Sequence, residues 1–293
     1  MLKIIVIVIV ILIVGVVVYE SLPVSKPEAA TEQYGISVHN LNYTSVVLLK
    51  NLGVTWVRSD VGSYGWNNVY SFAKSNGFSI LGILDYSSVP QNFTLQQWNQ
   101  SVYHYAIEYS GVTAWEIWNE PDLQYSYDGY QNGSPYHYFN MLTSAYNIIK
   151  QVNPSAIIVA LGGYVATSYT NLVWFKTLAS LGIDKYSNYI SVHLYPFVVN
   201  NDTTAAIQIY DTFLLSIKSI TNEKVWVTET GSSQASQSSY IPAVYATLIK
   251  DGVSNIFWYD LYHTGGSIYN TALMTSFDVP DQGYYTLQSF IKS

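Results

Sequence analysis

The chain has no cysteine among its 293 residues, which excludes disulfides, thiol catalysis and thiolate metal sites. Charge is scarce too. Charged residues make up 11% of the chain, against roughly 25% in ordinary soluble domains. The formal balance is −7, so no basic field exists to attract nucleic acid, which argues against that partner class. Arginine is scarcer still, and Arg58 is the only one. A carboxylate can be gripped in two places by the planar fork of a guanidinium and not by an ammonium. A lone arginine in a chain that otherwise uses lysine therefore marks a candidate site residue. No glycine-rich phosphate loop follows the first strand-like segment, which weighs against an open nucleotide-binding sheet.

Tyrosine, by contrast, is abundant, at 28 residues. Tyrosine and tryptophan offer flat apolar faces with a polar edge, which suits sugar binding. Residues 1–19 form an apolar run broken only by Lys3. The run reaches the short end of the roughly 17–25 residues needed to span a bilayer. It is expected to be a signal anchor through residues 2–19, or a signal peptide. Residues 20–32 (ESLPVSKPEAATE) read as a linker. Asn42, Asn92, Asn99, Asn132 and Asn201 each begin an Asn-x-Ser/Thr sequon. Together these features lead to the expectation that residues 33–293 act outside the cytoplasm, at the cell surface or secreted.

From residue 33 onward, strand-like and helix-like segments alternate. Strands are predicted over 34–39, 53–60, 78–86, 113–119, 156–163, 189–196, 224–231 and 253–263, with a helical segment after each. Gly53, Gly77, Gly111 and Asn153-Pro154 supply stop signals. Several strands are continuously apolar, as a parallel sheet buried on both faces requires. Eight such units in about 260 residues predict a single (β/α)8 TIM barrel, with a doubly wound open sheet as the alternative.

In such a barrel the site lies at the C-terminal ends of the strands. The segment TAWEIWNEPD (113–122) ends in Asn119, Glu120 and Pro121, where proline stops regular pairing after an acid. A second acid, Glu229, closes the run KVWVTETG (224–231). The other predicted strand ends carry His39, then Arg58 and Asp60, Asp85 and Tyr86, Gly162 and Gly163, His193 and Tyr195, and finally Trp258, Asp260 and His263. Glu116 reads as a hydrogen-bonded acid of the barrel interior, and Trp66, Tyr125, Tyr127 and Tyr130 as candidate outer sugar contacts.

This pattern resembles the retaining glycoside hydrolases of clan A, with families 5 and 39 the nearest, over the whole chain after the linker. The resemblance implies that Glu120 is the acid/base and Glu229 the nucleophile. Arg58 and Tyr195 would support Glu229, Asn119 would contact the sugar 2-hydroxyl, and Trp258 would form the floor under the reacting sugar. His193 and His39 complete the implied site. It implies no metal and no organic cofactor. Retention requires two carboxyl groups about 5–5.5 Å apart, one protonated and one ionised. The expected function is cleavage of a β-linked oligo- or polysaccharide, of endo-glucanase, mannanase or xylanase type. An exo-acting β-xylosidase or β-mannosidase, and a sugar-binding surface protein without turnover, are the alternatives.

Overall fold

A computed structural model describes residues 33–123, 133–164, 172–263, 270–275 and 279–293. The apolar segment 1–19, the linker 20–32, and Tyr125, Tyr127 and Tyr130 lie outside the described residues. Among the described residues no helix is long and apolar enough to cross a membrane.

Eight strands form a closed, wholly parallel barrel in sequence order. They are β1 (Gln33–Ser37), β2 (Trp56–Asp60), β3 (Ser79–Leu84), β4 (Ala114–Ile117), β5 (Ile157–Tyr164), β6 (Tyr189–Leu194), β7 (Val225–Thr230) and β8 (Asn255–Trp258). The principal helices after them are α1 (Tyr43–Leu52), α2 (Trp66–Asn76), α3 (Leu95–Glu108), α4 (Pro135–Val152), α5 (Val173–Leu181), α6 (Thr203–Ile220), α7 (Gln237–Lys250) and α8 (Gln282–Lys292). Helix starts are fixed locally: Asn42 with Ser45 and Thr94 with Gln97 form reciprocal capping boxes. Asp202 accepts from the backbone of Thr204 and Ala205. The predicted eighth strand, 253–263, is shortened to Asn255–Trp258, because the chain turns away from the sheet at Tyr259 and Asp260.

Period-two alternation sorts the strand residues into two layers. Ile36, Val57, Ile80, Trp115, Ile158, Ile190, Val227 and Ile256 point outward to the helices and join one continuous core. Trp56, Leu81, Ala114, Val159, Trp226 and Phe257 point inward and plug the lower barrel. Trp226 is the centre of that plug. Its ring lies 4.6 Å from Tyr189, 5.4 Å from Trp56 and 6.3 Å from Phe257, centroid to centroid. Above this plug the inward positions turn polar: Arg58, Glu116, Ser191, His193 and Glu229 are all buried.

The plug is the platform on which the polar layer rests. Trp226→Ala is expected to cost about 3–5 kcal/mol, read as a lower midpoint of denaturant unfolding with little change in slope. A loss under 1 kcal/mol would mean that the lower barrel does not carry this load.

Candidate active site

Arg58 organises the polar layer from β2. Its side chain is 2% exposed, and three of its nitrogens reach acceptors on β4, just beyond β4 and on β7. Nε donates to Glu116 Oε2 at 2.6 Å, Nη1 to Glu229 Oε1 at 2.5 Å, and Nη2 to Asn119 Oδ1 at 3.2 Å. Tyr195 Oη donates to the other oxygen of Glu229 at 2.6 Å. Burial alone would raise the Glu229 pKa. His193 and Arg58 outweigh it and, with Tyr195, hold the carboxyl below its ordinary range. Burial and the Glu229 charge push the Tyr195 phenol up, so it remains a donor.

Glu116 anchors the opposite side of Arg58. It is fully buried, as expected of an interior acid, and its second oxygen accepts from Ser191 Oγ at 2.8 Å. Ser191 Oγ in turn accepts from the Gly163 backbone N–H at 2.8 Å. Ser191 and His193 are two residues apart on β6 and so share the inward face. Sequence reasoning missed Ser191, although this spacing was the signal that could have found it.

Two irregularities aim the rest. On β7 the register passes from Val192↔Val227 to His193↔Glu229, so Thr228 is skipped as a bulge. The bulge sets Glu229 beside His193. On β5 the register shifts between Ala160 and Tyr164, with positive φ at Leu161, Gly162 and Gly163. A Cβ on Gly163 would fall 1.9 Å from His193 Nε2, so only glycine admits that ring. A Cβ on Gly162 would fall 2.3 Å from the carbonyl oxygen of Trp118. The end of β4 passes close by, with φ +68° at Trp118 and +48° at Glu120, and Glu120 N–H donates to Gly162 O at 2.6 Å. Positive φ at bulky residues costs of order 1–3 kcal/mol each and gathers at functional sites.

Glu120 meets Glu229 across His193. His193 Nδ1 lies 2.8 Å from Glu120 Oε1 and 3.6 Å from Glu229 Oε2. Its Nε2 faces Arg58 Nη2 at 3.4 Å. A guanidinium can only donate, so the neutral ring carries its proton on Nδ1 and gives it to Glu120. Burial would lower the His193 pKa, but Glu229 and Glu120 outweigh it and hold it above the ordinary value. Ligand atoms of Glu120, His193 and Glu229 all lie within 4.8 Å of one another. Such a group could chelate a metal ion, but each member is already bonded to a protein partner. An ionised carboxylate with a second carboxyl within 5 Å can act as nucleophile and proton donor at one carbon–oxygen bond.

Beside Glu229 opens a pocket of about 70 Å³ lined by residues that include Ser37, His39, Arg58, Asp60, Tyr86, Asn119 and Tyr259. His39 lies between two acids, with Nδ1 3.6 Å from Asp60 and Nε2 3.7 Å from Asp260. Asp60 is held ionised: burial opposes this, but His39 and Arg58 prevail. Burial pushes Asp85 well above its ordinary pKa and Asp260 up to about 7.

Seven of the eight expected site residues therefore converge: Glu120, Glu229, Arg58, Asn119, His193, Tyr195 and His39. Trp258 does not. It is 0% exposed, its indole N–H donates to Thr271 O at 2.8 Å, and its ring packs on Tyr240. Phe257 takes the inward position on β8, so alternation turns Trp258 out to the helix layer. The aromatic from this strand end that does line the pocket is Tyr259. Trp66 is likewise buried, against Tyr70 and Tyr109, and is no sugar contact. His263 is exposed beyond the strand.

No family model matches the sequence, and no curated protein does. Solved structures do match. A family 39 glycoside hydrolase from Bacteroides cellulosilyticus WH2 superposes with a TM-score of 0.69 at 19% identity, covering 90% of this chain and 64% of that one. A glucosidase from Croceicoccus marinus gives 0.73 at 13%, covering 90% and 68%. An endo-1,4-beta-mannanase from Rhizomucor miehei gives 0.65 at 13%, covering 90% and 96%. The chain thus spans just under two thirds of the length of the family 39 structure. At these identities the likeness establishes the fold alone, a closed parallel (β/α)8 barrel.

Gly163→Ala is expected to expel the His193 ring from its bond to Glu120. The downfield Nδ1 proton resonance of His193 should disappear or shift strongly in an NMR spectrum; an unchanged resonance would show that glycine is not what admits the ring.

Proposed function

We propose that the protein is a retaining glycoside hydrolase that cleaves β-linked glycans by double displacement. The observation that carries the reading is the closeness of the Glu120 and Glu229 carboxyl oxygens, within 4.8 Å, with only Glu229 tied to a buried guanidinium. That spacing suits direct attack and leaves no room for a water between carboxylate and sugar. Glu229 attacks the anomeric carbon while Glu120 gives its proton to the leaving oxygen. The glycosyl ester cancels the Glu229 charge. Glu120, now a carboxylate, takes a proton from water, which attacks the same carbon and frees Glu229. Arg58 and Tyr195 aim the nucleophile with one bond to each of its oxygens. Asn119 has its oxygen occupied by Arg58, so its amide N–H is the end left for the sugar 2-hydroxyl. His193 fixes the Glu120 carboxyl within reach of the scissile oxygen.

The target we propose is a glucan, mannan or xylan backbone, attacked internally and outside the cytoplasm. Tyr86 supports a cleft that takes chain: it is exposed on the loop after β3 and lines the pocket. The apolar N-terminal run and the sequons support an exported, surface-tethered or secreted enzyme.

A 2-deoxy-2-fluoro glycoside with a good leaving group should add one sugar mass to Glu229, identified by peptide mapping, and none to Glu229→Gln. Labelling elsewhere would sink the assignment. Glu120→Gln should lower kcat/KM by about 10²–10⁴ on alkyl glycosides and far less on dinitrophenyl glycosides, which need no acid. A second test concerns pH. Activity requires ionised Glu229, whose pKa is depressed, so it fails as pH falls through that pKa. Tyr195→Phe removes one donor, raises the Glu229 pKa and moves the acid limb of the kcat/KM profile to higher pH. An acid limb that stays put would show that Tyr195 does not hold the charge.

A further inference from the structure

The pocket beside Glu229 is walled by acids. Asp60, which is held ionised, and Glu229 both line it, and a third acid, the buried Asp260, lies behind its wall 3.7 Å from His39. The cations that face it are Arg58, whose donors are taken, and His39, whose Nε2 has no hydrogen-bond partner but whose ring lies between two acids. Arg58 is bonded to Glu116, Glu229 and Asn119, and His39 sits between Asp60 and Asp260.

The shortage of positive charge extends over the whole face. From residue 33 onward, no lysine occurs in any strand or in any connection from a strand to the helix that follows it, and Arg58 is the only arginine. Six of the nine lysines after residue 33 sit instead in the last turns of helices, toward the opposite face; Lys185 and Lys224 lie in helix-to-strand connections, and Lys176, fourth in its helix, is the one lysine placed toward helix N-termini. The pocket nonetheless has groups to offer a ligand. Ser37 lines it, is 3% exposed, points inward between the outward Ile36 and Val38, and its hydroxyl has no protein partner. Asp260 Oδ1, in a residue 1% exposed, is also unpartnered.

We infer that this pocket holds an uncharged sugar, recognised through its hydroxyl groups, and rejects a uronic acid or other anionic sugar in the same place. This deepens the reading of the chain as a glycosidase and rests on it. A carboxylate on the sugar would need a guanidinium or ammonium to pair with, and none is free. It would instead meet Asp60 and Glu229, where like charges in a partly desolvated site repel. Hydroxyls have the reverse fit, since carboxylate oxygens accept from them and Ser37 completes the set. The exclusion is built from repulsion as much as from attraction.

The test compares ring analogues that differ only at C6. Isofagomine-type inhibitors of gluco, manno and galacto configuration, each with a hydroxymethyl or a carboxylate group, are titrated into the protein by calorimetry. The best hydroxymethyl analogue is expected to bind at least about 100-fold more tightly than its carboxylate counterpart. Asp60→Asn should narrow that gap about tenfold, and so should Tyr86→Arg, which adds a cation at an exposed position of the pocket lining. Equal or tighter binding of the carboxylate would overturn the inference, as would failure of every analogue to bind. Binding needs no turnover, so the two readings fail separately. A protein that shows the gap yet hydrolyses no aryl glycoside keeps its neutral-sugar pocket and refutes the hydrolase reading. Turnover of aryl β-glucuronides as fast as β-glucosides does the opposite.

Discussion

The guanidinium of Arg58 is the interaction on which the upper barrel depends. A buried cation without partners is untenable, and removing one partner of a buried pair costs roughly 3–5 kcal/mol. Here three acceptors from β4 and β7 close on one side chain from β2. Strands that are not neighbours are thereby tied across the barrel. The Glu116 contact carries the structural share, because that acid is fully buried and backed by Ser191. The Glu229 contact keeps a carboxylate charged where burial would otherwise neutralise it. Lysine could reach one of these acids but not hold two in fixed directions.

That network needs room, and backbone irregularity provides it. A regular β5 would carry a side chain where the His193 ring now lies, and a regular β7 would bring Thr228, not Glu229, opposite His193. The extra residues of β5 bend its end under β4, where Glu120 takes a positive φ and is held by Gly162. So the strained segments are those that carry the proposed acid and the ring that orients it. The aromatic plug below, built from Trp56, Trp226 and Phe257, supplies the rigidity that keeps them strained.

Much of this was legible in the sequence, for reasons that can be named. Strands buried on both faces must be largely apolar, so β3 (SILGIL) and β5 (IIVALGGY) announced themselves. Polar residues at the ends of such runs had to face a site, which brought Arg58, Asn119, Glu120, His193 and Glu229 together correctly. Sequence alone did not reveal which of two adjacent aromatics on β8 points inward. The clue lay on another strand: Gly35 pairs with Phe257, and a Cβ there would fall 2.3 Å from the Phe257 ring. Reading that clue requires the register between the first and last strands, which exists only once the barrel closes. Ser191 escaped notice, and Gly163 was placed at its strand end without a role, for a related reason, since each acts through a neighbour on a different strand.

The sparse charge of the chain also acquires a physical meaning. In a parallel barrel every helix N-terminus lies on the face where strands end, and every C-terminus on the other. Helix dipoles favour anions at the first and cations at the second, by about 0.3–1 kcal/mol per charge. The lysines in helix last turns follow that field, and so do Asp202 and Asp281, which cap helix N-termini. The face with the site consequently collects acids, and at four helices the first N–H groups are already bonded to the capping side chains of Asn42, Thr94, Asp202 and Asp281. With few charges elsewhere to screen or counter this separation, His193 and Arg58 together set the state of the central carboxylate against its burial. A further cation beside that pair would favour the ionised form of every carboxyl near it, Glu120 as well as Glu229, and so erase the difference between the two that the proposed double displacement needs.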